Sequence, residues 1–169
     1  ALPSKWMRRA LKEGEKHGLT FEVADAAAVP GLMADLKAVS DSWMGDRPVR
    51  EKGFSLGRFD PAYLARTPAA LARRGGELVA FANLWVGAPG TEIAPDLMRH
   101  RGDAPRGTMD FLFLHMLRWG AAREYARANL GMAPLAGLEA RRLAPLWARA
   151  GALVAERGEH FYNFRGLRA

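Results

Sequence analysis

Residues 93–120 read IAPDLMRHRGDAPRGTMDFLFLHMLRWG, and their pattern decides how the rest of the chain is read. An apolar start and a polar end, with Asp96 and Arg99 near its close, describe a strand. Residues 100–107 form a basic Gly/Pro loop, and Thr108 opens a long helix. A strand feeding a glycine-containing loop and then a helix N-terminus is a ready anion site. The first turn's free N–H groups and the helix dipole both face the loop. Arg101 and Arg106 add planar guanidinium donors that suit a phosphate or carboxylate. A solvated loop followed by a capped helix is the competing reading.

Toward the N-terminus, residues 77–86 (ELVAFANLWV) are almost continuously apolar, as a central strand covered on both faces must be. Asn83 interrupts the run; a satisfied core amide is the default reading for it, and a site residue the other. Gly75-Gly76 joins this strand to one over residues 69–73, a hairpin signal. Asp60-Pro61 starts a brief helix carrying Tyr63, with Asp as cap and Pro at the first helical position. Residues 54–59 (FSLGRF) read as a short strand, and Asp46-Arg47-Pro48 as a turn. Residues 29–44 place Leu32, Met33, Leu36, Val39, Ser40 and Trp43 at the spacing of a helix's buried stripe. Residues 19–23 alternate like a strand. Residues 4–17 form an amphipathic helix with Ser4 as N-cap and Gly18 as its stop. Its polar face holds Arg8, Arg9, Lys12 and Lys16, a solvated face by default and otherwise a contact for nucleic acid or an anionic bilayer. Beyond the long helix, residues 128–132 read as a short strand, residues 137–150 contain a helix, and residues 160–165 read as a last strand. The order predicts an α/β fold whose mixed sheet carries helices on both faces.

A chain of 169 residues suits one domain with a core of its own. Hydrophobic residues make up 49% and charged residues 25%, the balance of an ordinary globular domain. Cysteine is absent, which excludes disulfides, thiolate metal sites and cysteine nucleophiles. Charges break every apolar run well short of the ~20 residues a membrane span needs. Residues 1–9 have no signal-peptide pattern. Ala1, where an initiator Met would stand, points to a segment of a longer chain. A net charge of +7, carried mostly by arginine, favours a polyanionic partner such as RNA, DNA, anionic lipid or a nucleotide.

The four histidines (His17, His100, His115, His160) lie far apart and in no HExxH or HxH pattern, so no metal site is expected. GxSxG, GxxxxGK[ST] and GxGxxG are also missing, against the common hydrolase, NTPase and dinucleotide sites. Asp96 and Arg99 are the sharpest pair. Three residues apart at a strand end, they could grip a zwitterion, carboxylate to amine and guanidinium to a phosphate or carbonyl oxygen. They could equally pair with each other or with solvent. Asp110, in the first helical turn, meets the dipole favourably whether or not it touches a ligand. Arg106 is the loop's best candidate for a phosphate contact.

Six motifs in fixed order carry a resemblance: GFSLGRFD (53–60), ELVAFANLW (77–85), DLMR (96–99), GTMDFLF (107–113), NLGMAPLAGL (129–138) and GEHFYNFRGLR (158–168). Together they resemble the C-terminal cytosolic domain of the bacterial phosphatidylglycerol lysyltransferases, also called aminoacyl-phosphatidylglycerol synthases or multiple peptide resistance factors. The resemblance implies a GNAT-type acyltransferase fold with a mixed, mostly antiparallel sheet. It implies that the 169 residues are one such domain, the second of a tandem pair behind a multi-span membrane region. The soluble part of such a protein lies on the cytoplasmic face of the bacterial inner membrane. The implied activity moves lysine or alanine from charged tRNA to a hydroxyl of phosphatidylglycerol. The added amine lowers the membrane's negative charge and protects against cationic antimicrobial peptides.

Carried over residue by residue, DLMR puts Asp96 and Arg99 at the aminoacyl end of the tRNA, Tyr63 matches a further site position, and GTMD contributes Asp110. The family's chain runs on past GLRA with an FK segment whose Lys belongs to the site and with a terminal strand. The expectation is therefore a domain truncated at its C-terminus. The aminoacyl ester is already activated, so neither cofactor nor metal is implied, and cations should stabilise the developing oxyanion. RGDAPRGTMD departs from the [QR]xxGx[GA] loop of acetyl-CoA users, which favours a tRNA end over CoA. Two alternatives stand beside this: a GNAT-type acyltransferase using acyl-CoA, and a non-catalytic basic module for RNA or a membrane surface.

Overall fold

The computed structural model describes residues 5–45 and 58–129, without the side chain of Trp6. In chain order come α1 (Lys5–Lys16), β1 (Leu19–Ala24), a 3-10 turn (Val29–Leu32) leading into α2 (Met33–Met44), and α3 (Pro61–Leu64). They are followed by β2 (Ala69–Arg74), β3 (Glu77–Val86), β4 (Glu92–His100), α4 (Thr108–Ala122) and β5 (Arg127–Ala128). The strands make one sheet in the order β1-β2-β3-β4-β5. Every pair is antiparallel except β4 with β5, which α4 connects. This mixed, mostly antiparallel sheet agrees with the GNAT-type expectation.

β3 is the middle strand, and all residues from Leu78 to Leu84 are buried, which explains its nearly unbroken apolar sequence. Its two faces feed two separate cores. Phe81, with Ala69, Leu71 and Leu97, packs against Val29, Leu36, Val39 and Leu64, so α2 and α3 cover one face. Ala80, Ala82 and Leu84, with Ala70 and Ala72, meet Phe111, Leu112 and Met116, so α4 covers the other. The alanines are concentrated on the α4 side, where small residues let a helix bearing Phe, Leu and Met lie close to the sheet.

Gly75 (φ 57°) and Gly76 (φ 86°) both adopt the left-handed conformation that the two-residue hairpin turn demands. The register then skips between Ala72↔Ala80 and Arg73↔Leu78, leaving Val79 as an extra residue in β3. α1 buries Ala10 and Gly14 and exposes Lys5, Arg8, Arg9, Lys12 and Lys16. Gly14 fits directly against the ring of Phe111.

The stripe over residues 29–44 folds in two pieces rather than one. Val29–Leu32 is a 3-10 turn with Pro30 near its start, and Met33 donates its N–H to the Pro30 carbonyl before α2 begins. Leu36, Val39 and Ser40 are its buried residues, as the spacing requires. Of the strand expected over 54–59, Arg58 and Phe59 are not in a strand; Phe59 sets its ring edge-on to Phe81 at 6.4 Å. The rest of that strand, the Ser4 cap, the turn at 46–48, the extension of β5 to residue 132, the helix within 137–150 and the strand at 160–165 lie outside the described residues. Among the described residues, no helix is long and apolar enough to cross a membrane.

A methyl group on residue 14 would sit 2.3 Å from Cδ2 of Phe111. Gly14→Ala should therefore lower stability by about 1–3 kcal/mol, read as a lower urea midpoint. Gly31→Ala, with nothing within 4 Å of its added carbon, is the matched control. Equal midpoints for the two variants would contradict the α1–α4 packing.

Candidate active site

The site is built where β4 breaks its register. Ala82 pairs with Met98 and Leu84 with Pro95, so Asp96 and Leu97 together face the single residue Asn83. This is a β-bulge, and Pro95, which has no N–H for the ladder, is tolerated beside one. Asn83 is 1% exposed and replaces the lost ladder partner with its side chain: Oδ1 accepts the Leu97 N–H at 2.7 Å. Its Nδ2 lies 3.4 Å from Thr67 Oγ1 and 3.5 Å from the Tyr63 hydroxyl. Asn83 is thus a satisfied core amide that also touches a candidate site residue.

The bulge decides which way Asp96 points. Met98 packs with the α4-side core and Leu97 with the α2-side core. Strict alternation would send Asp96 the way of Met98, into apolar surroundings. The extra residue turns it toward α3 instead, where the Tyr63 hydroxyl donates to Asp96 Oδ2 at 2.5 Å. Tyr63 is delivered by a capped turn. Asp60 Oδ1 accepts the N–H groups of Ala62 (2.9 Å) and Tyr63 (3.2 Å), and Pro61 takes the first turn of the helix. Burial first, and the Asp96 carboxylate second, push the Tyr63 phenol above its ordinary pKa. At neutral pH Tyr63 is therefore a donor.

Arg99 projects from the same strand onto the same face, opposite Phe81 in the register. It is only 4% exposed, and its guanidinium carbon lies 3.7 Å from the centre of the Trp43 ring. Nη1 also approaches the Met44 sulfur at 3.8 Å. Trp43 and Met44 close α2, so the end of that helix holds a flat cation against an indole face. On the far side of Tyr63 stands Trp85, with ring centres 6.0 Å apart and planes tilted by 50°.

Arg106 and Asp110 sit elsewhere. Both are exposed at the start of α4, which covers the opposite face of the sheet from α3. Gly107, at φ 82°, fits there against Glu13 of α1. Arg101 forms ion pairs with Glu77 and, at 3.1 Å, with Asp103, so its charge serves the fold of this loop. Thr108 spends its hydroxyl on the Pro105 carbonyl at 2.7 Å. The structure therefore joins Tyr63 to Asp96, places Arg99 on their face, and leaves Arg106 and Asp110 on the α4 side. Among the described residues, no three His, Asp or Glu side chains converge as metal ligands would.

The default reading of Asn83 as a satisfied core amide holds, whereas the sequence pattern placed Trp43 in a buried stripe and gave Trp85 no role. Two signals were present: a lone amide inside an apolar strand, and a proline inside the neighbouring one. Chemically, the arrangement offers an anionic carboxylate steadied by a neutral phenol, and a stacked guanidinium two residues beyond the bulge. Such a pair suits a substrate bearing an amine and a polarised oxygen.

Residues 4–169 match a sequence profile described as phosphatidylglycerol lysyltransferase, C-terminal. The chain is similar to the phosphatidylglycerol lysyltransferase of Bacillus subtilis, at 41% identity over 92% of this chain and 18% of that protein. That of Staphylococcus epidermidis is 32% identical over 95% of this chain and 19% of its own length. The chain thus spans about one-fifth of the length of these curated relatives. Among solved structures, a C-terminal domain from Agrobacterium fabrum, described as belonging to a lysylphosphatidylglycerol synthetase, superposes with a TM-score of 0.75 at 43% identity, over 94% of this chain and 46% of that one. L-PGS from Bacillus licheniformis gives a TM-score of 0.73 at 36% identity, over 90% and 45%.

Two outcomes are expected. Asn83→Leu strands the buried Leu97 N–H and should destabilise the fold by about 1–3 kcal/mol in chemical denaturation, whereas an unchanged midpoint would mean the bulge does not need the amide. The raised Tyr63 pKa makes the protonated phenol the native form. Its contribution to stability is complete below the ordinary tyrosine value of about 10 and is lost as pH rises through the higher folded value. Tyr63→Phe should therefore show a shallower alkaline loss of stability than the wild type; parallel curves would contradict the shift.

Proposed function

Because the chain belongs to the family of phosphatidylglycerol lysyltransferase C-terminal domains, we propose that it carries the aminoacyl-transfer site of a longer membrane protein. An aminoacyl group, lysyl or alanyl, moves from aminoacyl-tRNA to a hydroxyl of phosphatidylglycerol. The observation that carries this reading is the bulged strand, which presents Asp96, bonded to Tyr63 at 2.5 Å, on the same face as the buried Arg99. An aminoacyl ester has the matching features, an ammonium group and a carbonyl oxygen that becomes anionic in the transition state.

In this reading the lipid hydroxyl attacks the ester carbonyl carbon, and the bond from that carbon to the terminal ribose oxygen of the tRNA breaks. The proton of the lipid hydroxyl ends on the departing ribose oxygen. Asp96 receives the ammonium of the aminoacyl group, and Tyr63 fixes the direction of its carboxylate. Arg99 stabilises the tetrahedral oxyanion; its stacking on Trp43 means that little reorganisation is needed when the charge appears. Arg106, exposed at the start of α4, meets a phosphate of the tRNA away from the reacting ester, with Asp110 exposed beside it. The donor ester is already activated, so positioning supplies the rate and the chemistry calls for neither metal nor cofactor.

The remaining length of the relatives gives room for a preceding GNAT-type domain and a transmembrane region. In this proposal they hold the site at the cytoplasmic face of the bacterial inner membrane. There the aminoacylated lipid lowers surface charge and confers resistance to cationic antimicrobial peptides.

The test is the complete protein with phosphatidylglycerol vesicles and individually charged lysyl- and alanyl-tRNA, with the lipid product identified by mass spectrometry. Arg99→Ala should lower kcat by about 10²–10³-fold, the usual loss of an oxyanion donor. Full activity in that variant would remove Arg99 from the chemistry. A folded wild type that forms no aminoacyl lipid with any charged tRNA would overturn the function itself.

A further inference from the structure

We propose that Trp85 is a substrate-binding residue of this site, its open indole face forming with Asp96 a subsite for the primary ammonium of the aminoacyl donor. The inference rests on the aminoacyl-transfer reading and names the side chains that would recognise the transferred group.

β3 runs buried from Leu78 to Leu84, and then its next residue, Trp85, is 55% exposed. Among the described residues the exposed large apolar side chains are Trp85 and, at 37%, Val86. Leaving an indole in water forgoes the stabilisation its burial would give. An isolated exposed aromatic would need no explanation, but this one borders the site. It is two positions from Asn83 on the same strand, so both project to the face that α3 covers. Trp85 pairs with Ala94 and Asn83 faces Asp96 across the bulge, which makes Trp85 and Asp96 diagonal neighbours. The ring stands 6.0 Å from that of Tyr63.

The carboxylate sets the chemistry of the ligand. Tyr63 occupies Oδ2 of Asp96, and no partner within the described residues occupies Oδ1. An ionised carboxylate only accepts hydrogen bonds, and a primary ammonium offers three donors. A cation held by Oδ1 beside an indole face gains a charge-assisted hydrogen bond and a cation–π attraction together. A neutral base stacked on Trp85 would gain the second surface but not the ionic contact. The combination therefore favours the aminoacyl ammonium over the terminal adenine of the tRNA.

The experiment measures steady-state transfer by the complete protein from lysyl-tRNA to phosphatidylglycerol vesicles. Trp85→Leu should raise KM for lysyl-tRNA by roughly three- to thirtyfold with kcat nearly unchanged, and Trp85→Phe should recover part of the loss. Site-specific fluorotryptophans at position 85 keep the shape while draining the ring's negative face, so KM should climb with each added fluorine. Inhibition by uncharged tRNA, which carries no ammonium, should be the same in all variants. An unchanged KM, or no trend with fluorine, would overturn the inference. Weakened inhibition by uncharged tRNA in step with KM would replace it with base stacking. A wild type that transfers nothing would instead refute the transfer reading before any variant is compared.

Discussion

One buried amide makes the arrangement of this site possible. β4 carries one residue more than β3 can pair, and an unpaired N–H in the middle of a covered sheet would cost about as much as a lost hydrogen bond. Asn83 supplies the missing acceptor to Leu97 at 2.7 Å from within the core. With that need met, the irregularity is stable, and its consequence is a change of face for Asp96. The carboxylate leaves the side lined by Ala82 and Leu84 and arrives beside Tyr63. Leu97 and Arg99 remain in phase with each other beyond it. The single buried polar residue of the central strand is thus both a core residue and the reason the candidate site has its charge pattern.

The two faces of the sheet then divide the work. On the α4 side, alanines on β2 and β3 allow a large-residue helix to approach, and α1 closes over that helix through Gly14. That side supplies cohesion. On the other side, residues at or near the ends of α2 and α3 reach the site. Met44 and Trp43 flank Arg99, and the four-residue α3 delivers Tyr63. The basic surface contributed by α1 lies with the cohesive half. Its charge suits attraction of a polyanion.

Much of the fold was legible from local chemistry. Gly75-Gly76 turned where a left-handed pair must, Asp60-Pro61 capped the helix it introduced, and an apolar run at 77–86 became the central strand. These features depend on neighbours in sequence. The candidate site was legible only in part. Asp96 and Arg99 stood out as polar residues at a strand end, but spacing alone put them on opposite faces. The bulge that reunites them follows from Asn83, more than a dozen positions away, and only Pro95 hinted at it. Tyr63 came into view through the family resemblance, because a contact 33 residues long in sequence leaves no local trace. Arg101 shows the opposite error: a loop arginine that suits a ligand by type, yet is held by Glu77 and Asp103.

The choice of partner for Asp96 has a consequence of its own. Had Oδ2 been met by a lysine or arginine, the site's negative charge would have been cancelled in place. Tyr63 instead brings a neutral donor, and burial together with the carboxylate itself keeps that phenol protonated well beyond neutral pH. The bond therefore orients the carboxylate without spending its charge. Arg99 also meets a neutral aromatic side chain. The Trp43 face 3.7 Å away steadies the guanidinium through its quadrupole and takes up none of its in-plane donors. The carboxylate and the guanidinium of the candidate site are thus each set against a neutral aromatic side chain on the same face of the sheet.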